Sequence, residues 1–355
     1  MLENLYKTLL EKVNANHKCV MLTYLDLFSD RHGSITEKVL FTGEEIDNRS
    51  FLISDDVYKK ICLCLESGKL EIVSAPQNKA ILIEPFMPKP RLLVFGGGHI
   101  AMPLSEFAAR VGFSITLIDD RPFFANTERF PEADNVICER FEKCFDLVNM
   151  NASDFVVIIT RGHRHDGVVL REALKHDLSY VGMIGSKRRV AAMKEDLSNE
   201  GFAKAKLDLV QAPIGLDIKA ITPVEIAISI VAQLIRYKNQ ASIDKYGKSF
   251  SFPELDAKVV EKASEKSVLP KAIITILSSK GSVPRKAGAK MVSYYDGSTF
   301  GSIGGGCSEA GILTRAKDIM LDKGFSIEHV DMTGDVAEAD GMVCGGVMEV
   351  LIEAF

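Results

Sequence analysis

Gly96-Gly97-Gly98-His99-Ile100-Ala101 satisfies the pattern G-x-G-x-x-[G/A], and Asp119 follows 21 positions after Gly98. The spacing has physical content. Gly96 permits a tight turn, and Gly98 removes the side chain that would block a pyrophosphate. A helix opening there offers unpaired N–H groups to phosphate oxygens. Gly97 and His99 share the turn and count as candidate contacts, while Asp119 is spaced to accept hydrogen bonds from a ribose. The expected chemistry is the holding of a phosphate-bearing cofactor.

Two further segments are chemically loaded, Thr160-Arg161-Gly162-His163-Arg164-His165-Asp166-Gly167 and Gly185-Ser186-Lys187-Arg188-Arg189. His163, His165 and Asp166 are ligand types that suit zinc or iron. Alternating loop positions rarely aim both rings at one ion without further ligands, so phosphate contact or helix capping is the expected role, and no metal site is assigned. Lys187, Arg188 and Arg189 at a helix start oppose the helix dipole, which makes an anion a reason for them; a solvated helix start is the plainer alternative.

The C-terminal hundred residues hold Gly281-Ser282-Val283-Pro284-Arg285-Lys286 and Gly301-Ser302-Ile303-Gly304-Gly305-Gly306-Cys307-Ser308-Glu309, loops rich in backbone donors that suit anions. Gly341-Met342-Val343-Cys344-Gly345-Gly346 sets a second thiol among glycines. Cys307 and Cys344 become candidate contacts, against the ordinary reading of a free cysteine as a small buried residue.

These residues need elements to hold them. Arg91–Phe95 reads as a buried parallel strand. Ile100, Leu104, Phe107, Ala108 and Val111 recur at helical spacing, and Ser114–Ile118 reads as a second strand, completing a βαβ unit. Further strands are expected at 135–138, 155–160 and 180–184, and Thr222-Pro223-Val224-Glu225 is a capping box opening a helix to about Lys238. Alternating strands and helices predict a doubly wound parallel sheet with ligands beyond the strands' carboxyl ends, so both charged segments are expected to face the crevice.

Outside this central region the chain repeats itself. A helical stretch, Leu2–Val13, precedes the strand-like Cys19–Leu25, as Leu255–Ala263 precedes Ala272–Leu277. Each copy then has a helix ending at glycine, Gly68 or Gly324. Each closes on a related strand, Ile81-Leu82-Ile83-Glu84-Pro85-Phe86 and Val350-Leu351-Ile352-Glu353-Ala354-Phe355. Counted back from that strand, Cys344 falls opposite Ala75, so the first copy keeps the scaffold and lacks the glycine-rich loops. The expected fold is therefore α/β, a central Rossmann-type doubly wound parallel sheet flanked by two related smaller α+β modules. The expected bounds are 1–88, 89–240, a polar linker over 241–253, and 254–355.

A formal net charge of −5 gives no basic field to hold nucleic acid or an anionic membrane surface. No run reaches the ~18 apolar residues of a membrane span, and the first residues lack an export signal, so a cytoplasmic protein is expected. Seven scattered cysteines argue for free thiols.

Together GSVPRKAGAKM, DGSTFGSIGGGCSEA and GMVCGG, with LLVFGGGHIA, DDRPFFAN, TRGHRHD, YVGMIGSKRR and PIGLDIKAITPVEIA, resemble the xanthine dehydrogenase accessory factor (XdhC/CoxI) family over roughly residues 90–240 and 270–355. The resemblance implies a cytoplasmic accessory protein for which catalysis is not required. It would bind molybdenum cofactor, support its sulfuration with a cysteine desulfurase, and deliver it to a xanthine dehydrogenase-type enzyme. By position, Pro284, Arg285, Gly304, Gly305, Gly306, Cys307 and Cys344 match the accessory motif, and Gly96, Gly98, Asp119, His163, Asp166 and Ser186 match the Rossmann part. In the family's familiar order the GS-x-PR module precedes the Rossmann domain; here the recognisable copy follows it, so a site formed between the two halves of a homodimer stands beside one formed within a chain. Two other classes fit the fingerprint, an NAD(P)-dependent oxidoreductase and a protein that senses NAD.

Overall fold

The computed structural model describes residues 2–49, 53–151, 153–239, 242–243, 249–250, 253–305, 307–332 and 346–355. The chain divides into a continuous unit, Lys89–Ser242, and a discontinuous one, Met1–Pro88 with Ile243–Phe355. Most of the linker expected at 241–253 lies outside the described residues.

The discontinuous unit begins with α1 (Leu2–Asn14), β1 (Cys19–Ser29), β2 (His32–Thr42), α2 (Gly43–Asp47), α3 (Asp55–Ser67), β3 (Glu71–Ala75) and β4 (Lys79–Phe86). The continuous unit carries β5 (Arg91–Phe95), α4 (Ala101–Arg110), β6 (Ser114–Asp119), β7 (Asn135–Cys138), α5 (Phe145–Val148) and β8 (Phe155–Ile158). It continues with α6 (His163–Ala173), β9 (Tyr180–Met183), α7 (Lys187–Asn199), α8 (Lys204–Leu209) and α9 (Pro223–Asn239). After a short pairing of β10 (Ser242–Ile243) with β11 (Ser249–Phe250) come α10 (Ala257–Ser264), β12 (Lys271–Gly281), β13 (Lys290–Tyr294) and β14 (Thr299–Gly301). The chain closes with α11 (Cys307–Asp322), β15 (Phe325–Asp331) and β16 (Gly346–Ala354).

In the continuous unit five parallel strands lie in the order β7-β6-β5-β8-β9. The strand β5 shows why the run RLLVF forms a central strand. Leu92 and Val94 face a core with Leu104 and Ala108 of α4 and Ile230 and Leu234 of α9, while Leu93 and Phe95 face Val169 and Leu170 of α6 and Val190 of α7. Both faces are covered, so every residue of the strand except its first can be apolar; each Leu-sized side chain so buried contributes about 1.5–3 kcal/mol. The capping box at Thr222 forms, with Glu225 N–H donating to Thr222 Oγ1 at 3.3 Å and Thr222 N–H to Glu225 Oε2 at 3.0 Å.

In the discontinuous unit both modules join one nine-stranded sheet, β14-β13-β12-β16-β15-β2-β1-β4-β3. The repeat is visible in register. Thr23 stands opposite Lys38 and Leu82, and Thr275 stands opposite Lys290 and Leu351. The modules meet where Phe325 of β15 pairs with Gly33 of β2, and where α1 packs Tyr6, Leu9 and Val13 against Val259, Val260 and Ala263 of α10. The sheet curls enough that Lys290, near one end of the strand order, donates to Glu84 Oε1 near the other at 2.7 Å. The repeat-related pair Lys38–Glu353 also lies at 2.7 Å, and all four side chains are 2 % exposed. Each module therefore supplies a buried cation to the other module's terminal strand.

Candidate functional site

The glycine turn between β5 and α4 shows what each glycine is for. Gly96 has φ +113°, and a Cβ there would lie 2.4 Å from the Ile159 carbonyl oxygen. At Gly97 a Cβ would meet the Phe124 carbonyl at 2.1 Å, because the segment after β6 folds over the turn. A Cβ on Gly98 would meet nothing within 4 Å. Two glycines thus exist for the protein's own packing, and the third faces open space.

That space is a cleft of about 400 Å³ within the continuous unit, lined by Gly98, His99, Ile100, Ala101, Arg121, Phe124, Ile159, Thr160, Arg161, Ile184 and Pro223. It lies beyond the carboxyl ends of β5, β6, β8 and β9, where open parallel sheets hold ligands. Of the residues that the sequence singles out, Gly98, His99 and Arg161 line it. Ser186, Lys187 and Arg188, expected to face it as well, do not. Ser186 caps α7, accepting from Arg189 N–H at 3.4 Å, and Lys187 and Arg188 are exposed beside it.

Asp119 departs from its expected role. Its Oδ2 accepts from Gly97 N–H at 2.8 Å and from Arg121 Nη2 at 2.9 Å, and its Oδ1 accepts from Arg121 N–H at 3.0 Å and Arg121 Nε at 2.8 Å. Four donors fill the carboxylate, and at 1 % exposure none of it is left for a ribose. Burial would raise its pKa, but the Arg121 guanidinium and the Gly97 N–H outweigh burial and hold the carboxyl below its usual range. The neighbouring Asp120 is forked by Arg161, at 2.7 and 2.8 Å.

Asp166, at the start of α6, is 7 % exposed and accepts from Thr160 Oγ1 at 2.5 Å. Burial pushes its pKa up despite that hydrogen bond. It braces a residue that lines the cleft. His163 contacts Arg189, whereas His165 turns toward Phe141, ring centroids 5.3 Å apart. The alternating rings diverge, and among the described residues no group of three His, Cys, Asp or Glu side chains could hold a metal ion.

The glycine-rich loop before α11 is a second anion cradle with its own carboxylate inside. Glu309 Oε1 accepts from the N–H groups of Ile303 at 2.9 Å, Gly304 at 3.2 Å and Gly305 at 2.8 Å, and from Ser302 Oγ at 2.7 Å. Burial opposes the ionised form, but the Ser302 hydroxyl and these amides bring the Glu309 pKa below its usual value. Pro284 packs where a Cβ on Gly304 would be, 2.6 Å from its Cγ, so the two loops touch. Arg285 is ion-paired with Glu254 at 2.7 Å. Cys307 opens α11, and Gly306 and Cys344 lie outside the described residues.

Sequence reading missed Arg121, Phe124, Ile184 and Pro223 in the cleft wall, and Glu309 in the cradle. Only Glu309 carried a signal, as an acid two residues into a helix that follows a glycine loop. The others reach the site through loop paths that spacing does not encode.

Fold and cleft define the class: a protein built on a Rossmann domain, with a second unit of two repeated α+β modules. Residues 92–234 match the XdhC Rossmann domain, and residues 264–331 match the XdhC and CoxI family. A Bacillus subtilis protein, described as one of the probable subunits of xanthine dehydrogenase, is 32% identical over 167 residues, 47% of this chain and 48% of that one. The Escherichia coli protein YqeB is 30% identical over 154 residues, 43% of this chain and 28% of that one. A crystal structure described as a xanthine dehydrogenase from Bacillus halodurans is 28% identical, covers 65% of this chain and 64% of that one, and has a TM-score of 0.48. The matches thus span less than half the length of the curated relatives. The chain belongs to the XdhC family. Among the described residues no helix is long and apolar enough to cross a membrane.

Proposed function

We propose that this chain is an accessory protein of a xanthine dehydrogenase-type molybdenum enzyme, and that it holds molybdenum cofactor while the cofactor is sulfurated and passed on. The observation that carries the reading is the open face of Gly98 at the mouth of a parallel sheet, in a chain of this family. The residues fit the phosphate end of such a cofactor. The start of α4 and the loop at Gly98 present backbone N–H groups, His99 and Arg161 add polar contacts, and Ile100, Phe124, Ile184 and Pro223 give apolar walls suited to a flat heterocycle. When bound, the cofactor supplies a metal centre for the partner enzyme's chemistry; this chain's residues bind, orient and shield it. A cysteine desulfurase as sulfur donor, cytoplasmic location and a homodimeric assembly belong to the same proposal.

The test is to express the chain in cells supplied with molybdate, purify it, and assay oxidised pterin fluorescence and bound molybdenum. Stoichiometric pterin that is lost on Gly98→Leu supports the reading. Absence of pterin and molybdenum from a folded protein that activates no apo-hydroxylase would remove it. Cys344, proposed as a thiol contact to the metal end, is tested in the same assay: Cys344→Ala lowers cofactor retention without changing the melting temperature.

A further inference from the structure

Dinucleotide folds read the ribose at the carboxyl end of the second strand, with a carboxylate for a free 2′-hydroxyl and an arginine for a 2′-phosphate. Here the carboxylate at that place, Asp119, is saturated from behind, and the groups turned toward the cleft are guanidiniums. Arg121 spends Nε and Nη2 on Asp119, and among the described residues its Nη1 has no partner. Phe124 lies under it, 3.7 Å from ring centroid to Cζ, which limits its swing. Arg161 meets Asp120 through both Nη atoms and leaves Nε. The cations are the outer layer: the Arg121 and Arg161 side chains are 31% and 42% exposed, against 2% and 16% for Asp119 and Asp120. A third guanidinium, Arg129, reaches the Gly97 carbonyl at 3.5 Å, has a buried Nε without an acceptor, and has no carboxylate partner among the described residues. Two of the three guanidiniums are thus paired with Asp119 and Asp120 while keeping N–H donors in reserve, and the third has no carboxylate partner among the described residues.

We infer that this end of the cleft is a receptor for a phosphomonoester, and that Arg121 and Arg161 rank ligands by whether they carry one there. A guanidinium keeps several N–H donors after one bidentate contact, and its planar fork matches phosphate. The inference rests on the reading of the cleft as a site for a phosphate-bearing ligand. Two sources share the chemistry: the 2′-phosphate of a dinucleotide, and the terminal phosphate of a pterin monophosphate.

Calorimetric titration of the full chain with NADPH, NADH and inorganic phosphate tests it. Either of two results supports the inference. NADPH binds at least tenfold more tightly than NADH, a ratio that Arg161→Gln reduces to within threefold; the source is then a dinucleotide. Alternatively neither dinucleotide binds, but phosphate does and Arg161→Gln weakens it at least fivefold; the source is then a smaller phosphomonoester. Equal affinity for NADH and NADPH overturns the inference and leaves the cleft a nucleotide site. Binding of none of the three overturns the inference, while the reading of the cleft that it rests on is decided separately by pterin retention. Should Arg161→Gln fail to fold, Asp120→Asn frees the same fork and is expected to tighten NADPH or phosphate severalfold; no change would sink the inference.

Discussion

Asp119 Oδ2 accepts a hydrogen bond from the Gly97 N–H at 2.8 Å, tying the end of β6 to the glycine turn after β5. The carboxylate is thus a structural tie for the turn. Asp119→Ala leaves the Arg121 guanidinium and the Gly97 amide without their acceptor, and is expected to cost about 3 kcal/mol in urea unfolding. Because the folded-state pKa lies below the ordinary 3.8, this carboxylate stabilises the fold above pH 3.8 and loses that contribution as the pH falls further. Wild type and the Asp119→Asn variant should therefore converge in stability at the acid end. A gap that stays constant down to acid unfolding would contradict the assignment.

Asp166 has the opposite sign. Its folded-state pKa is raised by burial, so its contribution is fullest below pH 3.8 and is lost as the pH rises through the folded value. Asp166→Asn keeps an acceptor for Thr160 and removes the buried charge. The variant should equal or exceed wild type in stability at pH 7, with its relative advantage shrinking toward pH 4. A loss of more than ~2 kcal/mol at neutral pH, above the cost of one ordinary hydrogen bond, would show that the ionised form is required.

Gly97 and Gly98 separate packing from binding. Gly97→Ala puts a methyl group against the Phe124 carbonyl and should displace the 121–126 segment, lowering the melting temperature by several degrees. Gly98→Ala enters open space at a backbone outside the positive-φ region and should melt near wild type, within about 0.4–1 kcal/mol, while reducing ligand retention. Comparable melting losses in both would remove the distinction.

The buried Lys290–Glu84 pair joins the two modules. Removing one partner strands the other charge at 2 % exposure, so Glu84→Ala should cost about 3–5 kcal/mol. Replacing both, Glu84→Leu with Lys290→Met, should recover most of that loss. Equal damage from the single and double variants would mean that the charged pair itself is required, since Leu and Met keep the apolar bulk.

Glu309 fills the cradle at 303–305. Glu309→Ala should take this acceptor from the Ile303, Gly304 and Gly305 amides, of which Gly304 keeps Ser302 Oγ at 3.0 Å, and destabilise the unit by about 1–3 kcal/mol. Added acetate or sulfate should restore part of the loss by entering the vacated cradle, at concentrations that leave wild type unaffected. Melting curves in matched ionic strength with chloride separate anion entry from general salt effects.

Local physics wrote much of this molecule into the sequence. The run RLLVF, the helical spacing from Ile100 and the Thr222 capping box each specify an element from its own residues, and the observed bounds fall within a few positions of those expected. The repeat was legible in the shared terminal strand, because Leu82, Glu84 and Phe86 keep their register with β1 as Leu351 and Glu353 do with β12. Less was legible in the site. The spacing that marked Asp119 could not show that Arg121, two residues later, folds back and fills it.

The sequence by itself determined the parallel sheet, the glycine turn after its first strand and the existence of two related modules, since periodicity, glycine chemistry and caps act over a few residues. Only the tertiary structure decided that both modules share one curled sheet with exchanged buried ion pairs. Only it decided that Asp119 and Glu309 are already satisfied, and that guanidiniums line the cleft. The exchanged ion pairs depend on partners distant in sequence, and the saturation of Asp119 and Glu309 depends on how a neighbouring loop turns back onto them; separation along the chain encodes neither.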